Sequence, residues 1–319
     1  MVELSSGDRA VRPVNRPRKI WIAIVLHLLQ PGFGQFYNGK FVRALVFFLG
    51  MDFLFAIGAI VTAITESPIV FFISIILWII GWWYILIDSI IITSKQKQNY
   101  YQAKFNNAWW KYLAVLVIFG AITSGIDIAI TEFVIENFRE PSASMEDTII
   151  VGDFMSAKKC GYDSIEQNDI VIFKYPLNQN IYYVKRCIAK GGQTVEIKDK
   201  EILIDGVPLI MPSKAKHIDK RVFPYHDNDH GGRRDNMPLT IIPERQIFVV
   251  GDNLDNSMDS RFFGPVDGDL IIAKLMFVYF SLEPNDKYHT GSSSIIKKLL
   301  YNIGHFPSYI RWNRIGIKL

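Results

Sequence analysis

Three long apolar stretches, residues 44–64, 69–92 and 112–130, limit what this chain can become. Each approaches the roughly 20 residues a helix needs to cross a hydrocarbon core. Glu66-Ser67-Pro68 separates the first two as a short polar turn. Trp82, Trp83 and Tyr84 lie within the second, and Trp109 and Trp110 mark the entry to the third, where an interfacial aromatic belt forms. A fourth apolar run, Ile20–Leu29, has only ten residues and breaks at Gln30-Pro31-Gly32-Phe33-Gly34-Gln35. Proline and glycine end a helix there, so a re-entrant or interfacial segment over 20–43 is expected rather than a fourth span.

Basic residues set the orientation. Arg9, Arg12, Arg16, Arg18 and Lys19 crowd the N-terminal tail, Lys40 and Arg43 follow the break, and Lys95, Lys97, Lys104 and Lys111 line the loop before the third span. All three groups lie on one side if 20–43 dips and returns, and positive charge marks the cytoplasmic side. The expected layout is a basic cytoplasmic tail over 1–19, the dipping segment over 20–43, three spans within 44–130, and an extracytoplasmic domain over 131–319. The first apolar run is interrupted and more spans follow it, so a cleavable leader is not expected. Asp52 falls inside the first full span, where an acid is a functional candidate. The plainer expectation is that Asp52 is hydrogen-bonded to polar groups of the Gln30-to-Asn38 segment. Asp88 is expected to reach the cytoplasmic interface.

Beyond residue 131 the composition becomes mixed and the periodicity turns β. Runs at 170–174, 181–188, Thr194–Lys198, Glu201–Ile204, Gln246–Val250 and 271–280 are short and rich in β formers. Asp199-Lys200 and Asp205-Gly206 read as two-residue hairpin turns. The fold expected is a multi-span α-helical membrane region followed by a mostly β catalytic domain of antiparallel sheets or a partial barrel. Residues 199–245 form a small excursion, and 212–240 a long polar loop. His217, His226, Asp227, Asp229 and His230 crowd that loop without metal-ligand spacing, so a solvated loop and no metal are expected. Cys160 and Cys187 pair if the domain faces an oxidising compartment, or stand as unrelated buried thiols.

The chemistry starts from Ser144 in Pro141-Ser142-Ala143-Ser144-Met145, just past the third span. A serine hydroxyl needs a base. Six histidines are present, yet no Gly-x-Ser-x-Gly elbow accompanies them. Lys185 in Tyr183-Val184-Lys185-Arg186 is the alternative, because burial among apolar neighbours favours a neutral lysine. On a strand Tyr183 and Cys187 share its face.

Together these segments resemble the type I signal peptidases, membrane-bound Ser/Lys proteases. Pro141 to Met145 followed by Thr148 resembles the family's nucleophile box, Asn168-Asp169-Ile170-Val171-Ile172-Phe173 its second strand, and Tyr183 to Arg186 its general-base box. Gly251-Asp252-Asn253, Asn256-Ser257, Asp259-Ser260-Arg261 and Gly264 resemble its last box, and Arg311-Trp312-Asn313-Arg314-Ile315-Gly316 its C-terminal end. The resemblance covers about residues 135–319. It implies a serine endopeptidase that removes signal peptides from exported pre-proteins after a small residue. Ser144 would be the nucleophile and Lys185 the base. The Ser144 backbone N–H and the Ser142 hydroxyl would form the oxyanion hole, and Ser257 would orient the lysine. Asp259 and Arg261 would form a supporting pair, with Asn253 and Gly251 in the same loop. Glu140, Pro141, Met145, Tyr183 and Val184 would line the substrate cleft.

The implied partners are signal peptides and the bilayer, with the secretion translocon a further candidate. The implied place is the bacterial inner membrane, with the catalytic domain on the periplasmic side. No cofactor and no nucleic acid is expected. Glu146-Asp147 stand where the family has Met-Pro, Glu140 replaces an apolar residue, and Gln193 replaces an acid. Glu140, Glu146 and Asp147 leave a narrow-client protease as an alternative. The extra N-terminal helices leave an inactive scaffold as another, against which both dyad residues argue.

Overall fold

The computed structural model describes residues 18–99, 109–139, 142–226, 230–283 and 306–319. Glu140 and Pro141 of the expected cleft, Lys104, Asp227, Asp229 and most of the basic tail lie outside the described residues. The described chain divides into two units, one holding residues up to Gly58 with Ile73–Ile128, the other Ala59–Phe72 with Ala129–Leu319.

The first unit is helical. Helix α1 (Ile20–Leu29) leads into the short α2 (Phe33–Tyr37), and the long α3 (Phe41–Thr65), α4 (Pro68–Asn99) and α5 (Trp109–Phe133) follow. These three are long and apolar enough to cross a membrane. The break between α1 and α2 is built around Gly32, whose φ of 95° and 2.9 Å approach of a would-be Cβ to the Ala44 carbonyl exclude a side chain. Phe33, Gln35, Phe36 and Asn38 are all buried there. Backbone groups freed by the break need partners in an apolar medium. Asn38 Nδ2 donates to the Gly34 carbonyl at 2.8 Å and to Thr93 Oγ1 at 2.8 Å.

The expected partner of this segment is corrected. Asp52 accepts from Thr123 Oγ1 on α5 at 3.3 Å. The acid that meets the break is Asp88, which accepts from Gln35 Nε2 at 3.0 Å and pairs with Arg43 at 2.5 Å. The reason is that α4 runs beside the break, where Gln35 also donates to the Ile85 carbonyl at 2.8 Å.

The second unit is built on an antiparallel sheet of seven strands. In chain order they are β1 (Ile135–Arg139), β2 (Asp153–Lys159), β3 (Ile170–Tyr175), β4 (Asn178–Lys190), β9 (Gln246–Val250), β10 (Val266–Asp267) and β11 (Ile271–Ser281). Their spatial order is β1-β2-β11-β3-β4-β9-β10. A second sheet, ordered β7-β6-β5-β8, comprises β5 (Thr194–Lys198), β6 (Glu201–Ile204), β7 (Val207–Pro208) and β8 (Met237–Ile241). Both expected hairpin turns form. Asp199 and Lys200 have φ of 48° and 72°, and Asp205 and Gly206 of 51° and 78°, the twist a two-residue hairpin needs.

The packing of strand β3 explains why its first four residues, Ile170 to Phe173, are all apolar rather than alternating. Ile170 and Ile172 pack with Met145, Ile149, Met155 and Leu275, while Val171 and Phe173 pack with Cys187, Ile247 and Val249. Both faces of the sheet are therefore covered where the site lies. Cys187 and Cys160 belong to the second of these clusters, and both are free thiols. The turn between α3 and α4 also packs on this unit. The Phe71 ring lies 5.4 Å from Phe277 and 5.8 Å from Tyr279, and Glu66 pairs with Lys158 and Lys274 at 3.3 Å each.

Candidate active site

Ser144 sits in a tight turn over residues 142–149, whose core is pinned by two fully buried apolar side chains, Met145 and Ile149. The Ile149 N–H closes the turn on the Met145 carbonyl at 2.8 Å. This corrects Met145 as a cleft residue: its side chain is turned into the core, where its sulfur accepts from the Asp252 N–H at 3.4 Å.

The loop after β9 holds the other side of the turn. The Asn253 N–H donates to the Ser144 carbonyl at 3.0 Å, and Asn253 Nδ2 to the Ala143 carbonyl at 3.1 Å. Gly251 is glycine because a Cβ there would collide with Ser257 Oγ and stand 2.6 Å from the Ser144 carbonyl oxygen. The Ser257 hydroxyl is thereby brought, buried, to the corner that holds Ser144. The Gly251 N–H donates to Asp259 at 3.0 Å, and Arg261 closes on both Asp259 oxygens at 2.8 Å each. Burial alone would raise the Asp259 pKa, but the Arg261 charge and hydrogen bonds hold the carboxyl below its ordinary value.

Lys185 reaches this corner from β4 and is almost entirely buried. Its Nζ lies 2.7 Å from Ser144 Oγ and 3.0 Å from the Val184 carbonyl oxygen. The amine also faces the Tyr183 ring, 5.2 Å from its centroid. Ser142 Oγ stands 3.2 Å from Ser144 Oγ. Val184 is half-buried against the Met145 cluster, and the Tyr183 ring stacks on Tyr175 at 4.5 Å. Ser142, Ser144, Lys185, Gly251, Asn253 and Ser257 thus converge, with Asp259 and Arg261 one layer behind.

The sequence reading missed three supports. Arg186, next to Lys185, forms a buried two-point ion pair with Asp252 at 2.7 and 2.6 Å, and Asp252 also accepts from Thr148 of the nucleophile turn at 2.5 Å. Arg314 pairs with Asp153 at 2.5 Å and donates to the Thr148 carbonyl at 2.8 Å, so the C-terminal segment braces the same turn. Lys216 of the polar excursion reaches Asp147 at 2.7 Å and Glu146 at 3.5 Å. The signal for the first was an arginine and an aspartate embedded in otherwise apolar strand ends. In the loop that raised a metal reading, His217 Nδ1 lies 2.9 Å from Asp255, and His226 is exposed.

A serine and an amine in contact on a β domain that follows membrane-length helices make this chain a membrane-bound serine endopeptidase. The family model for signal peptidase, peptidase S26, matches residues 109–280. Signal peptidase I of Aquifex aeolicus (strain VF5) is 30% identical over 200 residues, 48% of this chain and 78% of that protein. Signal peptidase I of Buchnera aphidicola subsp. Acyrthosiphon pisum (strain APS) is 27% identical over 301 residues, 72% of this chain and 89% of the relative. Signal peptidase I T of Bacillus subtilis (strain 168) is 31% identical over 193 residues, 59% and 90% of the two chains. A crystal structure of a signal peptidase I from Enterococcus faecalis V583 shares 28% identity, covering 35% of this chain and 97% of that one, with a TM-score of 0.28. The chain belongs to the signal peptidase family, peptidase S26, and removes signal peptides from exported pre-proteins.

Proposed function

We propose that Ser144 is the nucleophile of this endopeptidase and that Lys185 is its base; the 2.7 Å contact between their reacting atoms carries the reading. An ordinary lysine, with a pKa of about 10.4, is neutral in roughly one molecule in 2,500 at pH 7. Burial disfavours the ammonium form and enlarges that fraction. The neutral amine takes the Ser144 proton as Oγ attacks the carbonyl carbon before the scissile bond. The oxyanion is met by the Ser144 N–H and the Ser142 hydroxyl, donors of a kind worth a few kcal/mol each. The lysine then protonates the leaving amine; a water, giving a proton to the neutral Lys185, attacks the acyl carbon, and Lys185 passes that proton to Ser144 Oγ as the ester bond breaks. Ser257 is assigned to orient the amine; its buried hydroxyl stands at the Gly251 corner and makes no hydrogen bond to Lys185 in this geometry, while Asp259 with Arg261 holds the loop that carries it.

The substrate's place follows from pairing. Strand β4 has 13 residues, but β9 pairs only with its stretch 186–190. Tyr182, Tyr183 and Val184 pair with β3 on one side, and among the described strands none pairs on the other. An extended peptide completes that edge as an added strand, arriving next to Lys185. Tyr183 and Val184 flank it. The domain is placed outside the cytoplasm of a bacterial inner membrane, where translocon-delivered chains emerge; the three spans and the basic N-terminal side support this.

The acids beside Ser144 motivated a narrow-client reading. Lys216 offsets both Glu146 and Asp147, which favours the general one. The test is a panel of pre-proteins with the cleavage product read by mass spectrometry. Chains with Ala at positions −1 and −3 are expected to be cut after −1, and replacing the −1 Ala by Phe to abolish the cut. Unchanged cleavage after Phe, or cleavage of one client only, would contradict the proposal.

A further inference from the structure

We propose that Lys216, on the polar excursion, is a positioning residue for the reaction: its amine holds the Ser144 turn in place through Asp147 and Glu146. The inference rests on Ser144 as nucleophile and deepens that reading. Backbone pairing carries it. Lys216 bridges Asn253 in parallel, its N–H donating to the Asp252 carbonyl at 2.9 Å while the Leu254 N–H donates to the Lys216 carbonyl at 3.0 Å. Asn253 is bonded in turn to the nucleophile turn, through the Ser144 and Ala143 carbonyls, and its Nδ2 also donates to Glu146 at 3.3 Å. Three segments thus lie side by side: the excursion, the loop after β9 and the nucleophile turn. The Lys216 side chain spans the middle segment and closes on the outer one, 2.7 Å from Asp147 and 3.5 Å from Glu146. Its base is fixed on both sides. Leu209, Met211 and Ala215 pack on the cluster around Val195, Ile197 and Leu254, and Asp255 accepts from the Asp219 N–H at 2.6 Å beside His217.

The turn has a specific need for this contact. Asp147 has a φ of 75°, in the left-handed region that most side chains disfavour and that aspartate and asparagine tolerate best. Proline, with φ held at about −65°, cannot stand there, so the ring that Met-Pro would bring cannot stiffen this turn. Glu146 and Asp147 are instead adjacent, half-exposed carboxylates that repel each other. One ammonium between them turns that repulsion into a clasp. Its hydrogen bond to Asp147 raises the Lys216 pKa, which keeps the amine charged. The clasp matters because Ser144 lies only two residues before Glu146, and its Oγ must stay 2.7 Å from the Lys185 amine. A displacement of about 1 Å at a reacting atom can cost on the order of 100-fold in rate. Lys216 acts through the two acids, on where Ser144 stands rather than on the proton it loses.

The test uses the full-length protein and a pre-protein substrate, with kcat and KM measured separately. Lys216→Met is expected to lower kcat about tenfold and to leave KM within about twofold of the parent. Lys216→Arg, which keeps the charge, is expected to restore kcat to within about threefold of the parent. Asp147→Asn keeps a residue that tolerates positive φ but removes the charge, and is expected to lower kcat as Lys216→Met does. Both changes remove one contact, so the double variant is expected to be no slower than the slower single one. Circular dichroism fixes a temperature at which all four variants are folded, and cleavage is read there. A wrong nucleophile shows separately: Ser144→Ala would then still cleave, whatever the Lys216 variants do. A kcat for Lys216→Met within about twofold of the parent would overturn the proposal. So would a loss confined to KM, no recovery in Lys216→Arg, or losses that multiply in the double variant.

Discussion

Ser144→Ala and Lys185→Ala are each expected to lower kcat/KM by about 10⁶-fold, the scale seen when one member of a catalytic serine unit is removed. That is about 8 kcal/mol of transition-state stabilisation at 1.36 kcal/mol per tenfold. The two act on one proton, held between atoms 2.7 Å apart, so their effects do not add. The double variant is expected to be no slower than either single one. Both substitutions shorten side chains without leaving a charge behind, and the folded domain is expected to persist by circular dichroism. Cleavage by either variant within tenfold of the parent would remove the dyad from the account.

Arg186→Met is expected to be the most damaging change outside the dyad. It strands the Asp252 carboxylate, fully buried, without the guanidinium that meets both its oxygens. Breaking a buried pair from one side costs about 3–5 kcal/mol. For a domain of this size that is a fall in Tm on the order of 10 °C. Removing both charges is different, because an apolar pair of similar volume is often neutral. Arg186→Met with Asp252→Leu is therefore expected to recover most of the lost Tm. It is not expected to recover activity, since Thr148 loses the acceptor that ties the nucleophile turn to the β9 loop. Stability and rate parting company in the double variant would mark the pair as a positioning device. Full recovery of both would reduce it to packing, and thermal melts beside single-turnover cleavage separate the two.

The membrane spans were legible because length and polarity alone define them, and the two hairpin turns because Asp-Lys and Asp-Gly tolerate positive φ. Strand β3 was legible from the apolar run that opens it, Ile170 to Phe173. Strands β1 and β2 were not, because Ile-Glu-Asn-Phe-Arg and Asp-Phe-Met-Ser-Ala-Lys-Lys mix charges whose partners lie far along the chain, such as Asp153 with Arg314 and Ser281. Strand β8 hid inside a polar excursion for the same reason: it pairs with β5, 40 residues or more upstream. Met145 reads as a cleft residue beside the nucleophile, and only the turn's geometry sends its side chain inward. The intramembrane acids show the limit most clearly. Sequence placed both Asp52 and Asp88 in helices, but which one meets the Gln35 amide depends on helix packing that no local pattern encodes.

The pH dependence of single-turnover cleavage at saturating substrate tests the lysine base most directly. A protonated amine accepts no proton, so the rate must fall as pH drops and the Lys185 amine takes up a proton. Three groups near the amine are held outside the window between about pH 5 and 9. Burial pushes the Cys187 thiol up to about 12 and raises the Tyr183 phenol, while Arg261 keeps Asp259 ionised. The account predicts a rate that rises with pH along a single-proton limb in that window. A rate flat across it, with folding and substrate binding unchanged, would contradict Lys185 as the base.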